Sequence, residues 1–156
     1  MIETQRLKIY PASKKQMENF IASQTDDELK SAYSEMLENC LKYPNEWEWY
    51  ALWLIELRHN GTNIGGLCFK GVNSDGSVEI GYGISEEYQS KGYAAEAVKA
   101  VCSWAFTNPE VTSVEAEADE NNEASKRVLE KCGFTLSEKS GRDGFRFVLD
   151  RKGSEV

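Results

Sequence analysis

Residues 78–106 decide the fold and read VEIGYGISEEYQSKGYAAEAVKAVCSWAF. Residues 78–84 predict a strand, and residues 92–106 carry an apolar stripe at the spacing of a helix that packs on a sheet. Pro109 ends that helix, and residues 111–118 predict another strand. The unit is therefore β-α-β, with two parallel strands joined by a right-handed crossover.

The segments on either side of this unit add antiparallel strands and more helices. Periodicity and turn residues predict strands over residues 6–10, 49–57, 63–70, 135–138 and 145–149, and helices over 14–22, 26–41 and 123–132. Asn60-Gly61 marks one hairpin turn, and Gly141 and Gly144 lie in the last one. We expect an α+β fold, a mixed α/β sheet with helices on both faces, as a single domain over residues 1–156.

Composition and charge narrow the classes of function. The formal net charge of −8 argues against a nucleic-acid partner and mildly favours a cationic substrate such as an amine. No apolar run approaches the roughly 20 residues that span a bilayer, and the first ten residues lack a signal-peptide core, so we expect a cytoplasmic protein without a membrane partner. Four cysteines without a CxxC pair and a single histidine, His59, predict neither a disulfide nor a metal site.

The loop from Gln89 to Ala95, between strand and helix, predicts a binding site for phosphate. The first backbone N–H groups of a helix are unpaired and carry about half a positive charge. A glycine-containing loop ahead of the helix directs more N–H groups to the same place. Gly92 and Ala94 let a ligand approach the backbone, and Lys91 adds charge at the rim. The alternative is a loop that only caps the helix.

Five short segments, in the same order, carry a family resemblance. Residues 89–94 (QSKGYA) fit the pattern Q/R-x-x-G-x-G/A, and residues 79–82 (EIGY) precede it. Residues 122–125 (NEAS) and 127–134 (RVLEKCGF) follow, and residues 3–7 (ETQRL) open the chain. Together they resemble the GNAT acetyltransferase superfamily, in particular its ribosomal-protein-acetylating, RimJ/RimL-like branch. That resemblance implies a GNAT-like, mostly antiparallel twisted sheet of six to seven strands with a parallel, splayed central pair.

The resemblance also implies that acetyl-CoA is the co-substrate. GNAT enzymes bind it in the cleft where two parallel central strands part, which here are residues 78–84 and 111–118. The pantetheine arm would pair with the backbone of the first strand, and the pyrophosphate would bind the amides of residues 90–95. The residues expected to bind acetyl-CoA are Gly83, Ile84, Gln89, Ser90, Lys91, Gly92, Tyr93, Ala94, Ala95, Asn122 and Ser125.

Acetyl transfer to an amine needs a base for the amine and a proton donor for the leaving thiolate. Glu79 matches a glutamate often present in this branch and is the first candidate base; it could equally be a solvent-facing strand carboxylate. Glu115, Glu117 or water are the other candidates. Leu129 stands where many GNAT enzymes have a tyrosine acid, whereas Ser125 matches a serine placed near the sulfur in RimL-like proteins. A helix cap alone would also explain Ser125.

The acceptor side is the part where the resemblance is weakest. Tyr33, Trp49 and Tyr82 are candidate substrate residues, with core packing as the alternative. The reaction implied is that of an N-acetyltransferase acting on a primary amine, either a small amine or a protein N-terminus. A homodimer is expected from the family. The alternative function is a non-catalytic module that senses or binds CoA or acetyl-CoA, which the missing tyrosine acid keeps open.

Overall fold

The computed structural model describes residues 1–119, 121–140 and 144–151 and contains one eight-stranded sheet with helices packed on it. The strands are β1 (Ile2–Glu3), β2 (Leu7–Pro11), β3 (Leu52–Leu57), β4 (Asn63–Val72), β5 (Ser77–Ile84), β6 (Ser113–Asp119), β7 (Thr135–Ser140) and β8 (Gly144–Asp150). The helices are α1 (Lys14–Ser23), α2 (Asp27–Lys42), α3 (Trp47–Tyr50), α4 (Tyr93–Ala105) and α5 (Glu123–Lys131), with 3-10 turns at Pro44–Glu46 and Glu86–Tyr88. The strand order is β1-β2-β3-β4-β5-β6-β8-β7.

The predicted β-α-β unit is confirmed as β5, α4 and β6, and among the described strands β5 and β6 are the one parallel pair. The sheet has one strand more than the six to seven expected. The additional strand is β1, whose two residues pair with β2 and are too short to leave a periodic pattern. Gly141, assigned to the last turn, lies outside the described residues.

The strand predicted over residues 49–57 is wrong at its start, because residues 47–50 form the short helix α3. Tertiary contacts outweigh the strand preference of aromatic residues here. The indole N–H of Trp47 donates to the backbone oxygen of Ala12 at 2.9 Å, and that of Trp53 donates to the backbone oxygen of Glu48 at 2.7 Å. These two bonds hold the turn of helix against the end of β2 and the start of β3.

Helices cover both faces of the sheet, as the sequence predicts. On β3, Trp53 and Ile55 join the core beneath α4 and α5, while Leu52 and Leu54 face a second core beneath α1 and α2. This alternation follows from the two-residue period of a strand, which gives each face its own apolar residues. Of the helices that the structure describes, none is long and apolar enough to cross a membrane.

The two parallel strands part after a short stretch of pairing. β5 and β6 pair from Ser77↔Ser113 to Glu79↔Glu115. Beyond that point β5 pairs with β4 as far as Ile84, and β6 pairs with β8 as far as Asp119. The result is a wedge between the carboxyl ends of two central strands, a place where open sheets commonly bind ligands.

Candidate active site

A cavity of about 440 Å³ lies in this wedge. It is bounded by the end of β5, the loop before α4 and the first turns of α5. Its lining is Tyr82, Gly83, Ile84, Tyr88, Gln89, Ser90, Gly92, Tyr93, Ala94, Ala95, Asn122, Ala124, Ser125, Arg127, Val128 and Lys131. Ten of the eleven residues expected to bind acetyl-CoA belong to this lining, and Lys91 is the exception.

The amino end of α4 forms one wall of the cavity. Gly92 is the N-cap residue with φ +84°, and Ser90 just before it has φ +63°. In the part of the chain that the structure describes, no side chain caps this end of the helix, and the first amides of a helix have no partner within it. Such an end is suited to an anion. The amide of the Gln89 side chain donates to the backbone oxygen of Ile84 at 2.8 Å and ties the loop to the end of β5.

Arg6, at the start of β2, braces this loop from outside the cavity. Its guanidinium donates to the backbone oxygen of Lys91 at 3.0 Å, pairs with Glu96 at 2.7 Å and lies 4.2 Å from the ring centroid of Tyr93. This contact was not predicted, because nothing local in the sequence links Arg6 to a loop 85 residues away. Lys91, expected at the rim, holds its ammonium 6.0 Å from the ring centroid of Tyr88.

A pair of hydroxyl groups lies where β5 faces α5. The side-chain oxygen of Asn122 accepts from the backbone N–H of Ser125 at 3.0 Å, so the predicted helix cap is present. The Ser125 hydroxyl lies 2.9 Å from the hydroxyl of Tyr82. Burial raises the pKa of Tyr82, and the bond to Ser125 only partly opposes that shift. Leu129, at the position of the tyrosine acid of many GNAT enzymes, is fully buried in the core.

Glu79, the first candidate base, does not line this cavity, and its carboxylate is held in ion pairs. Its carboxylate contacts Lys70 at 2.6 Å and Arg146 at 2.8 Å, and Arg146 also pairs with Glu115 and Glu117 at 3.1 and 2.9 Å. Burial raises the pKa of Glu79, but the hydrogen bonds from Lys70 and Arg146 outweigh it and lower the pKa below its usual value. Because a lowered pKa makes a weaker base, this geometry argues against the predicted role of Glu79.

The carboxylates of this cluster are of a type that can hold a metal ion. Within residues 1–119, 121–140 and 144–151, no group of three or more His, Cys, Asp or Glu side chains is arranged to hold a metal ion.

A second cavity, of about 400 Å³, lies on the opposite face of the sheet between strands β3 to β5 and the helices α1 and α2. It shares Tyr82, Gly83 and Ile84 with the first cavity. The carboxyl end of β5 therefore borders both cavities. Tyr33, one of the candidate substrate residues, also lines the second cavity.

Trp49, the remaining candidate substrate residue, lines neither cavity. Its ring packs against Phe69 and Trp104, with centroid distances of 5.0 and 4.9 Å. Trp53 completes this aromatic cluster, 4.9 Å from Trp104. The expectation for Trp49 is corrected to core packing, which is how buried indoles most often contribute.

Residues 6–135 of the chain match the family described as the Acetyltransferase (GNAT) domain. Among curated proteins, the chain is similar to the uncharacterized N-acetyltransferase YjdG of Bacillus subtilis, with 34% identity over 89 residues. That match covers 56% of this chain and 53% of YjdG, so the chain spans about half the length of this relative.

Solved structures share the fold over nearly the whole chain. The aminoglycoside acetyltransferase AAC(6')-Ib in complex with coenzyme A superposes with a TM-score of 0.71 and 19% identity, covering 96% of this chain and 97% of that one. The ribosomal-protein-S5-alanine acetyltransferase from Vibrio fischeri superposes with a TM-score of 0.73 and 14% identity, covering 96% and 95%. At these identities the likeness establishes the arrangement of strands and helices.

Proposed function

The chain belongs to the GNAT acetyltransferase family, and on that premise we propose that it transfers the acetyl group of acetyl-CoA directly to a primary amine. The acceptor is a small amine or a protein N-terminus. One observation carries the proposal: the wedge between β5 and β6 ends on the uncapped amino end of α4. Such a site offers an extended edge for a peptide-like arm and backbone donors for a diphosphate within one cavity.

Several features of the wedge fit coenzyme A. β5 pairs with β6 only as far as Glu79, so the backbone of β5 beyond that residue is open to a ligand along this edge. The loop at Ser90 and Gly92 has left-handed backbone, a conformation that turns successive N–H groups towards an anion. The side-chain oxygen of Asn122 accepts the capping hydrogen bond of α5, and its amide N–H groups can donate to an acceptor in the cavity.

The amine must lose a proton before it attacks, because a lysine-like ammonium has a pKa of about 10. The acceptor would enter through the second cavity and reach the thioester where the two cavities share Tyr82, Gly83 and Ile84. Among the described lining residues of the second cavity no carboxylate is present. Removal of the ammonium from water favours its neutral form, so deprotonation to solvent on entry replaces a glutamate base.

The hydroxyl pair of Ser125 and Tyr82 is suited to the leaving group. As the new C–N bond forms and the C–S bond breaks, one proton leaves the nitrogen and one is taken up by the sulfur. The raised pKa of Tyr82 keeps its phenol protonated, so the pair can donate a hydrogen bond or a proton. The hydroxyl pair would thereby protonate the leaving thiolate, a role that the side chain of Leu129 cannot perform.

A non-catalytic CoA-binding module is the second candidate, because the position of the usual tyrosine acid carries the buried Leu129. Thiol release from acetyl-CoA, measured over a panel of primary amines, separates the two candidates. We expect amine-dependent release. Binding of CoA without release on any amine would favour the module.

Gly92→Glu tests the site itself. Gly92 lines the cavity with a left-handed φ of +84°, and a β-carbon there would lie 3.3 Å from the Arg6 guanidinium that braces the loop. Glutamate would strain this turn, disturb the Arg6 contact and put a negative charge beside the amino end of α4, so we expect CoA binding and turnover to be lost together. CoA at 100 times its Kd stabilises a protein by about 2.7 kcal/mol, which corresponds to about 5–10 °C in Tm at this size. Wild-type protein should show this rise in thermal-shift measurements, and Gly92→Glu should not.

Gly61→Glu is the matched control. Gly61 also has a left-handed φ, of +72°, and a β-carbon there would meet no atom within 4 Å. It therefore introduces the same charge and a similar backbone strain in a turn that lines neither cavity. Equal CoA affinity in Gly92→Glu and Gly61→Glu would refute the site.

A further inference from the structure

The second cavity exists because its floor is built from strand residues without side chains. On β5, a β-carbon at Gly81 would meet only the sulfur of Cys68, at 3.7 Å, and one at Gly83 would meet nothing within 4 Å. Glycine inside a strand costs strand propensity and commonly marks a place where a ligand approaches the backbone. The space above these two residues is large enough for side-chain-sized groups of a ligand.

The walls of this cavity are apolar. Phe20 from α1 and Met36 from α2 face Leu52 and Leu54 from β3. Tyr33 packs edge-on against Phe20, with ring centroids 5.3 Å apart and an interplanar angle of 79°. Within the described lining, no side chain carries a carboxylate, an ammonium or a guanidinium group.

The ion-pair cluster on β4, β5, β6 and β8 offers little to a polycation. Glu79, Glu115 and Glu117 contribute three negative charges, and Lys70 and Arg146 contribute two positive charges within 3.1 Å of them. Three minus two leaves one net negative charge for the cluster. An acceptor with several ammonium groups would therefore have to displace existing ion pairs instead of finding open carboxylates.

We propose that the second cavity is the acceptor site and selects a primary amine attached to an apolar or aromatic group over a polycationic amine. The inference rests on the proposed acetyl transfer and names its substrate class. The apolar body would lie against Phe20, Met36 and Leu54 above the glycine floor, with the amino group at the junction near Gly83. Burial of the body stabilises binding, and the same dry walls favour the neutral, reactive amine.

A primary amine attached to an apolar or aromatic group can belong to a small arylalkylamine or to a peptide whose first residue is apolar. Three probes decide between these sources and the polycation: 2-phenylethylamine, a short peptide that begins with phenylalanine, and spermidine. We expect kcat/KM for at least one apolar probe to exceed that for spermidine by about tenfold or more. A higher kcat/KM for spermidine overturns the inference but leaves acetyl transfer standing.

A second readout does not need turnover. Cys68 lines the cavity and is partly exposed, whereas Cys40, Cys102 and Cys132 are buried. Burial raises the pKa of Cys68, so alkylation is followed by mass spectrometry at about pH 9. We expect the better apolar probe to slow alkylation of Cys68, and spermidine at the same concentration to leave it unchanged. Equal protection by the apolar probe and spermidine overturns the inference, and so does a lack of protection by the apolar probes. Protection without thiol release upholds the amine preference of the cavity and contradicts acetyl transfer.

Met36→Glu tests the walls directly. Met36 is partly exposed on α2, where glutamate is a good helix former. A carboxylate there should lower the ratio of kcat/KM for 2-phenylethylamine to that for spermidine by about tenfold, with CoA affinity unchanged. Met36→Leu, which keeps the wall apolar, is the matched control and should preserve the ratio. A ratio that is the same in both variants contradicts an acceptor in this cavity.

Discussion

At the scale of single residues, the environment of each group decides its chemistry more than its position in a motif. Glu79 stands in a segment similar to acetyltransferases, yet two cations hold its carboxylate and lower its pKa. Tyr82 stands three residues further on, and burial raises its pKa. The lowered pKa makes Glu79 a weaker base, and the raised pKa keeps the phenol of Tyr82 protonated. The motif favours Glu79, whereas the environment favours Tyr82.

Tyr82→Phe and Ser125→Ala test the hydroxyl pair. Each change removes one hydroxyl of a pair 2.9 Å apart, so we expect each to lower kcat by about 10²-fold, with a smaller effect on CoA affinity. Because the two groups act as a unit, the double variant should be little slower than either single variant. Steady-state kinetics and CoA titration make the measurement.

Tyr50→Phe is the control for that cycle, since Tyr50 stacks on Tyr43 with centroids 5.3 Å apart and lines neither cavity. A wild-type kcat in Tyr82→Phe would rule out Tyr82 as a donor. Strictly additive effects in the double variant would mean that the two hydroxyls act separately.

At the scale of elements, the turn between β1 and β2 anchors the first turn of α4. The Glu96 carboxylate accepts from the Thr4 hydroxyl at 2.5 Å and from the backbone N–H and side chain of Arg6 at 3.0 and 2.7 Å. Burial raises the pKa of Glu96, but these hydrogen bonds outweigh it and lower the pKa. The helix end that lines the wedge is therefore positioned by the start of the chain.

Glu96→Gln should lower the free energy of unfolding at pH 7 by about 1.5–3 kcal/mol, the usual range for a hydrogen bond to a charged group. A folded-state pKa below the unfolded value of about 4.3 stabilises above that pH, and the contribution is lost as the pH falls through the folded pKa. The difference between wild type and variant should therefore shrink below about pH 4. Urea unfolding from pH 7 to pH 3 measures it.

Glu87→Gln is the control, because Glu87 is an exposed carboxylate of the same loop region. It should follow wild type within about 0.5 kcal/mol at every pH. If the stability loss of Glu96→Gln stays constant down to pH 3, the ionised form of Glu96 is not the source of the anchor.

At the scale of the whole molecule, ion pairs cross the sheet at the point where β5 and β6 part. Lys70 on β4, Glu79 on β5, Glu115 on β6 and Arg146 on β8 form one connected cluster over four strands. The last parallel pair of the wedge is Glu79↔Glu115, and Arg146 contacts both carboxylates. The cluster therefore joins the two strands just before they separate.

Glu79→Gln should act on stability and not on catalysis. Loss of one partly exposed carboxylate from this cluster should cost about 1 kcal/mol, or about 2–4 °C in Tm. The pH–rate profile of acetyl transfer should keep its shape. Glu18→Gln, an exposed change on α1, controls for loss of charge. A shift in the acid limb of the profile in Glu79→Gln alone would restore Glu79 as the base.

Local patterns were enough to predict the central unit and the loop from Gln89 to Ala95, and the family resemblance supplied the other expected residues of the first cavity. The period of the apolar residues identified β5, α4 and β6, since a strand repeats every two residues and a helix every 3.6. The cap at Asn122 was recognised because a side-chain cap depends on residues within one turn. Gly92 was predicted for its close approach to a ligand, and its left-handed N-cap conformation came from the structure. Short connections account for the neighbours β3-β4-β5, whereas the pairing of β2 with β3 across helices α1 to α3, and of β6 with β8, is decided by tertiary packing.

What the tertiary structure alone decided are contacts between residues far apart in the chain. Arg6 and Glu96 are 90 positions apart, and Tyr82 and Ser125 are 43 apart, so no local pattern could relate them. The same holds for the cations around Glu79 and for the apolar cavity between α2 and the glycine floor. The sequence by itself determined most of the elements and indicated a candidate anion-binding loop, because those properties depend on neighbouring residues. Packing decided which side chains meet, and with them the pKa of Glu79 and of Tyr82.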